Sequence, residues 1–176
     1  MDETTPITPA AASNKKWLYI GLAVVVLIIL GLMFTGGSLG SAYFAPGVDV
    51  DQNLDGSTTY NTEEGSVTVG SGASMPDNWP SDAPPAYTGA TILYSGATNP
   101  TTGAKGSAVA YNTSASLASV VEYYNSRLKA EGWTVTANAD AAGMRVITAT
   151  KDTRTMGVYI GDGGNGTVNV TAGIEL

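Results

Sequence analysis

Asp51-Gln-Asn-Leu-Asp-Gly56 is the stretch whose residue types and spacing come nearest to a known chemistry. In a calcium loop, oxygens at positions one, three and five and a tight turn at six wrap the cation, which here would enlist Asp51, Asn53 and Asp55 as ligands. Position twelve of such a loop is a bidentate Glu. It is Thr62 here, Glu63 and Glu64 come one and two residues late, and neither flank reads as a helix. The preferred reading is therefore an acidic turn between two strands, in which Asn53, Asp55 and Gly56 favour turn geometry. A weak calcium site is kept as the alternative.

Gly161-Asp-Gly-Gly-Asn-Gly166 has the spacing G-x-G-x-x-G, which in a dinucleotide-binding fold lets the backbone approach a pyrophosphate at a helix N-terminus. A strand pattern follows instead of a helix, and Asp162 would repel phosphate, so these glycines read as a hairpin turn. For catalysis the inventory is thin. The chain has no His and no Cys, which removes the commonest general base, the thiolate nucleophile and most transition-metal sites. No G-x-S-x-G elbow and no S-x-x-K pair activates a hydroxyl. No cofactor is expected, and an enzyme is kept only as a less favoured alternative. Tyr87, Tyr94, Tyr111, Tyr123, Tyr124, Tyr159, Trp79 and Trp133 could line a binding face, but a small domain without disulfides needs most of them for its own core. Tyr123, just off the apolar line of its helix, is the best candidate for a contact residue.

The elements that must position these residues follow from periodicity. Ala90 to Ser95 and Ser107 to Asn112 alternate as strands. From Ser116 to Glu131, Leu117, Val120, Val121, Tyr124 and Leu128 recur at helical spacing, with Ser116 as N-cap and Gly132 as the stop. Four more strands follow at Trp133 to Ala137, Arg145 to Thr150, Thr155 to Ile160 and Thr167 to Ala172. The order β-β-α-β-β-β-β predicts an α+β layer, one amphipathic helix on a mostly antiparallel sheet whose far face is partly solvated by threonines. Ahead of it, Val48 to Asp51 and Ser66 to Val69 suggest a two-stranded ribbon. Gly70 to Pro85, with Pro76, Pro80, Pro84 and Pro85, should be extended and irregular, with Trp79 packed on the domain.

The run Trp17 to Phe34 contains no charge and approaches the roughly 20 apolar residues that cross a bilayer as a helix. Lys15 and Lys16 precede it and the next basic residue is Lys105, so the leader is placed inside and the remainder outside. A cleaved signal peptide is the competing reading and also puts the remainder outside. The formal net charge is −7. Asp2 and Glu3 balance Lys15 and Lys16, so the whole excess lies beyond the apolar run. An acidic exterior excludes nucleic acid and anionic headgroups as charge-driven partners of the domain.

Three segments, Met75-Pro-Asp-Asn-Trp-Pro-Ser-Asp-Ala-Pro-Pro-Ala-Tyr87, Val120-Val-Glu-Tyr-Tyr-Asn-Ser-Arg-Leu-Lys-Ala-Glu-Gly-Trp133 and Lys151-Asp-Thr-Arg-Thr-Met-Gly-Val-Tyr159, resemble a family of small, uncharacterised, exported bacterial domains. Many of its members are lipoproteins. The resemblance spans Gly47 to Leu176 and implies a membrane-tethered domain with no catalytic residue to carry over. Here the lipid-bearing cysteine is missing and the apolar run would serve as tether. The expected organisation is a cytoplasmic leader over residues 1–16, a transmembrane helix over 17–38, a spacer with a small hairpin over 39–74 and an extracytoplasmic domain over 75–176. The expected function is a single-pass, non-enzymatic binding or structural module of the cell envelope. Its expected partners are membrane lipid through the N-terminal helix and an envelope protein or glycan, the domain itself being monomeric.

Overall fold

The computed structural model describes residues 49–62, 65–98 and 105–176. The run expected to cross the membrane, 17–38, lies outside them. Among the described residues no helix is long and apolar enough to span a bilayer.

The described chain is a single antiparallel sheet with one helix. The strands are β1 (Asp49–Gln52), β2 (Thr58–Thr62), β3 (Gly65–Val69), β4 (Thr91–Thr98), β5 (Lys105–Thr113), β6 (Thr134–Ala141), β7 (Met144–Lys151), β8 (Arg154–Gly164) and β9 (Thr167–Glu175), and the helix, α1 (Leu117–Ala130), falls between β5 and β6. All nine strands pair in the order β1-β2-β3-β4-β5-β9-β8-β7-β6. Every pairing is antiparallel. The chain runs from one edge to the centre, crosses over through α1 to the far edge, and returns by a meander that closes β9 against β5.

This corrects the expected α+β layer. The sheet is predominantly a β architecture of nine strands, and the N-terminal ribbon is part of it. Val48 to Asp51 and Ser66 to Val69 were expected to pair with each other. Instead β2 lies between them, and β3 joins β4 through Val67↔Gly96, Thr68↔Ser95 and Val69↔Tyr94. Thr58-Thr-Tyr-Asn-Thr62 carries no apolar alternation to mark it as a strand. It is β-branched and polar, and a Thr59 to Thr68 hydroxyl contact at 2.9 Å links it to β3, a common cross-strand pair.

Helix α1 is delimited as its sequence predicts. The Ser116 hydroxyl accepts from the Ser119 N–H at 3.1 Å. At the other end Gly132 sits at φ 80, its N–H reaching Lys129 O and the Trp133 N–H reaching Leu128 O at 2.8 Å. These two bonds form a Schellman stop, for which glycine's access to positive φ is required. Val120, Tyr124 and Leu128 are fully buried and Val121 is partly so. Leu117, expected in the apolar stripe, is 36% exposed.

The core lies between α1 and one sheet face. Register places Val109, Ala172, Val158 and Ile147 in one row across β5, β9, β8 and β7, and all four are buried. Tyr111, Val170 and Ile160 form the next row. The opposite face carries small residues at the matching places, Ala108, Gly173 and Gly157.

Candidate functional site

The segment between β3 and β4 is not the extended stretch its prolines predict. It folds as successive turns, with Trp79 N–H to Pro76 O at 2.9 Å, Ala83 N–H to Pro80 O at 3.1 Å and Ala90 N–H to Tyr87 O at 3.0 Å. Proline fixes φ at values these turns use, and each hydrogen bond is donated by a residue that keeps its N–H. Ala83 is buried and Pro84 is among the most buried side chains of the molecule. Trp79 packs against the core, as its place in the segment predicts. Asn78 plugs the irregularity between Gly96 and Thr98, where the β4 to β5 register shifts. Its amide donates to Ala97 O and Gly106 O, both at 2.8 Å, satisfying carbonyls that the ladder leaves free.

Asp82 is the anchor of this segment. Its carboxylate receives both arms of the Arg154 guanidinium, at 2.8 and 2.7 Å, and the Lys151 ammonium at 2.7 Å. Lys151 also donates to Glu131 O at the end of α1, at 2.7 Å. The Trp133 indole N–H donates to Asp82 O at 2.5 Å, and the Arg154 guanidinium lies 5.2 Å from the Trp133 ring centroid. A bidentate guanidinium and a second cation thus meet at one carboxylate, and the same guanidinium makes a cation–π contact with Trp133. Hydrogen bonding from Arg154 first, and then from Lys151, holds the Asp82 carboxyl far below its ordinary range. The Arg154 guanidinium is correspondingly pushed up. With its oxygens engaged by two cations, this carboxylate is a clamp and leaves no free base.

A second cluster lies beside it. The Tyr123 hydroxyl donates to Pro85 O at 3.1 Å, and its ring stands edge-on to both Tyr87 and Tyr124, at centroid distances of 5.1 and 5.3 Å. Beneath, the Tyr111 and Tyr124 hydroxyls share a buried hydrogen bond of 2.9 Å. Burial pushes the Tyr111 phenol up to about 12. Burial, then the neighbouring Tyr111, raises that of Tyr124 well above its usual value. Both remain neutral phenols across the physiological range, so neither supplies a nucleophile. Tyr123, singled out as a contact residue, is held in this internal arrangement by Pro85 and Tyr87.

The candidate calcium ligands sit on the β1–β2 hairpin, each with its own partner. Asp51 Oδ2 accepts from the Asn61 amide at 3.0 Å. The Asn53 amide donates to Ser57 Oγ at 2.9 Å and Thr59 Oγ1 at 3.0 Å. Asp55 Oδ1 accepts from the Ser57 N–H at 2.9 Å and the Ser57 hydroxyl at 2.7 Å. The Ser57 backbone bond, with the Ser57 hydroxyl second, draws the Asp55 carboxyl down. These are the bonds of an Asx-type turn. Among the described residues no group of three or more His, Cys, Asp or Glu side chains could hold a metal ion.

The glycine-rich stretch is the β8–β9 hairpin. Gly164 pairs with Thr167, and Asn165 and Gly166 form the loop at φ 52 and 77, the positive values a type I′ turn needs. The Asp162 carboxylate accepts the Gly164 N–H at 2.8 Å. It is therefore part of the turn.

Sequence reasoning missed the clamp. Its residues lie far apart in the chain, and an Asp between Ser and Ala, or a Lys and an Arg flanking a turn, carry no local signal. One indirect signal existed. The three segments on which the family resemblance rests contribute Asp82, Trp133 and the Lys151–Arg154 pair, and the structure brings all three together.

No curated protein matches the chain, and no solved structure does. A family model described as START domain-like matches residues 94–171, a region that begins in β4, takes in β5, α1, β6, β7 and β8, and ends within β9.

Proposed function

We propose that this chain is a single-pass membrane protein that presents a non-enzymatic binding or structural module on the outer side of the membrane. The observation that carries the reading is the uncharged run Trp17 to Phe34 with Lys15 and Lys16 directly before it and no further basic residue until Lys105. Such an asymmetry orients a span with its leader inside. The exported-family resemblance supports the same placement.

Binding in preference to catalysis is supported by the START domain-like match over β4 to β9 and by the chemistry of the clustered side chains. Asp82 is saturated by Arg154 and Lys151, and the buried tyrosines are neutral. A catalytic group needs a free lone pair or proton poised near neutral pH. The partner class that this placement would offer is an envelope protein or glycan.

Protease added to intact cells or spheroplasts tests the placement. The expected outcome is removal of the C-terminal domain with an N-terminal tag spared and retained in the membrane. Protection of the domain with loss of the tag refutes it, and a tag lost without any membrane-retained fragment supports a cleaved leader instead.

A further inference from the structure

The triplet Asn-x-Ser/Thr, with x other than Pro, occurs at Asn112-Thr-Ser114, Asn165-Gly-Thr167 and Asn169-Val-Thr171. It is the acceptor for N-linked glycans in chains that leave the cytoplasm. The fold separates the three.

Asn112 and Asn169 are direct partners across the β5–β9 ladder, so a glycan on either would have to share the sheet surface with the other side chain at cross-strand distance. Each is also flanked on its second side, Asn112 by Thr91 on β4 and Asn169 by Gly161 on β8. The Asn169 carboxamide is tucked against Gly163, where an added Cβ would stand 2.6 Å from its Oδ1. Both side chains are only half-exposed, so a bulky substituent on either would press on its cross-strand neighbours.

Asn165 differs on every count. It is one of the two loop residues of the β8–β9 hairpin, exposed and flanked by the exposed Gly164 and Gly166. A Cβ placed on Gly164 or Gly166 would meet nothing within 4 Å, so the tip stands in open space. Asn tolerates its φ of 52, as few other residues do. The Thr167 hydroxyl, two residues on, donates to Gly164 O at 2.8 Å and fixes the turn in which the acceptor sits.

The geometry points to Asn165 as an N-glycosylation site, modified by a membrane oligosaccharyl transferase from a lipid-pyrophosphate-linked glycan. The inference rests on the extracytoplasmic reading above. In the transfer Asn165 Nδ2 forms a bond to the anomeric carbon of the donor sugar, the bond from that carbon to the pyrophosphate oxygen breaks, and the lipid pyrophosphate leaves with the electron pair. One Nδ2 proton passes to a base on the transferase. The attached glycan extends from the hairpin tip and leaves every strand pairing intact.

The test is peptide mapping and intact mass of the full chain purified from its native membrane, beside the protease experiment. Expected is a glycan on the peptide carrying Asn165 and none on Asn112 or Asn169. Asn165→Asp, which keeps a residue tolerant of positive φ, should remove the whole mass increment. Thr167→Ala should also remove it and Thr167→Ser should keep it, while Asn112→Gln and Asn169→Gln change nothing. A bare Asn165 on a domain that protease reaches from outside overturns the proposal alone. A bare Asn165 on a protected domain overturns it together with the placement. A glycan at Asn112 or Asn169 overturns the argument from geometry.

Discussion

Asp82 holds the β7–β8 turn through its carboxylate and Trp133, just past α1, through its backbone carbonyl, and predictions at the residue scale follow from its surroundings and those of Tyr111. Asp82→Asn removes the charge that Arg154 and Lys151 share. Hydrogen bonds to charged groups contribute about 1.5–3 kcal/mol, and the Asp82 side chain is still 33% exposed, so the loss in urea denaturation should fall toward the lower end. The folded-state carboxyl is depressed. Its contribution is therefore complete above the ordinary Asp value of about 4 and is lost as pH falls through the folded value. The stability gap between wild type and Asp82→Asn should thus be constant near neutrality and narrow on acidification below about pH 4. Parallel curves down to the lowest pH would mean that the ion cluster does not stabilise the fold. Tyr111 shifts the other way. With its folded phenol at about 12 against about 10 when unfolded, its contribution is present below pH about 10 and is lost as pH rises through about 12. A second test is a double-mutant cycle. Tyr111→Phe strands the Tyr124 hydroxyl at 0% exposure and should cost about 1–3 kcal/mol, whereas Tyr111→Phe with Tyr124→Phe removes both partners and should cost less than the sum of the singles. Additive costs would show that the 2.9 Å contact carries no coupling.

At the scale of elements, Leu128 and Lys129 are neighbours in sequence with opposite fates. Leu128 is fully buried and also accepts the Trp133 N–H on its carbonyl at the helix stop. Leu128→Ala should cost about 2–5 kcal/mol through lost transfer energy and the cavity left behind. Lys129→Ala, on the solvated side, should stay within about 0.5 kcal/mol. Equal shifts of the two urea midpoints would put the helix out of phase with the sheet. The helix was legible because everything that makes it is local: a hydroxyl cap at Ser116, apolar residues one turn apart and a glycine at Gly132. The β8–β9 hairpin was legible for the same reason, since Asn165-Gly166 demands a two-residue turn. Strand β2 was not, because Thr58 to Thr62 is held by hydrogen bonding to both neighbours and lacks an apolar face to announce itself. Nor was the strand order, which depends on β5 meeting β9 after the chain has crossed over and returned. The clamp was the least legible, because Asp82 and Arg154 are separated by 72 positions and only the folded turns of the proline-rich segment bring them together.

For the whole molecule, the sheet of the described residues ends in two edge strands, β1 and β6, and each is a place where another chain could add a strand. Both edges carry features that discourage it. β1 is four residues long with acidic Asp49 and Asp51, and a second acidic copy would bring like charges together across the new pairing. β6 is longer, but its pairing with β7 is broken by a register shift between Val135 and Ala137, which twists an edge away from flat association. Asp140 near its end is 3.0 Å from Arg145. Among the described residues the exposed large apolar side chains are Leu54, Leu117 and Leu176, which lie on a hairpin tip, the first turn of the helix and the last residue. Scattered apolar residues of this kind do not form a patch that drives association. With a net charge of −7 adding repulsion between copies, residues 47–176 freed of the apolar run should elute from gel filtration as a monomer at micromolar concentration. They should stay monomeric when salt screens that repulsion, because the edges themselves resist pairing. A dimer that appears only at high salt would show that charge alone keeps the edges apart. A dimer at all salt concentrations would show that an edge strand pairs, and if that edge is β6, Thr136→Pro, which removes a backbone donor at its register shift, should abolish it.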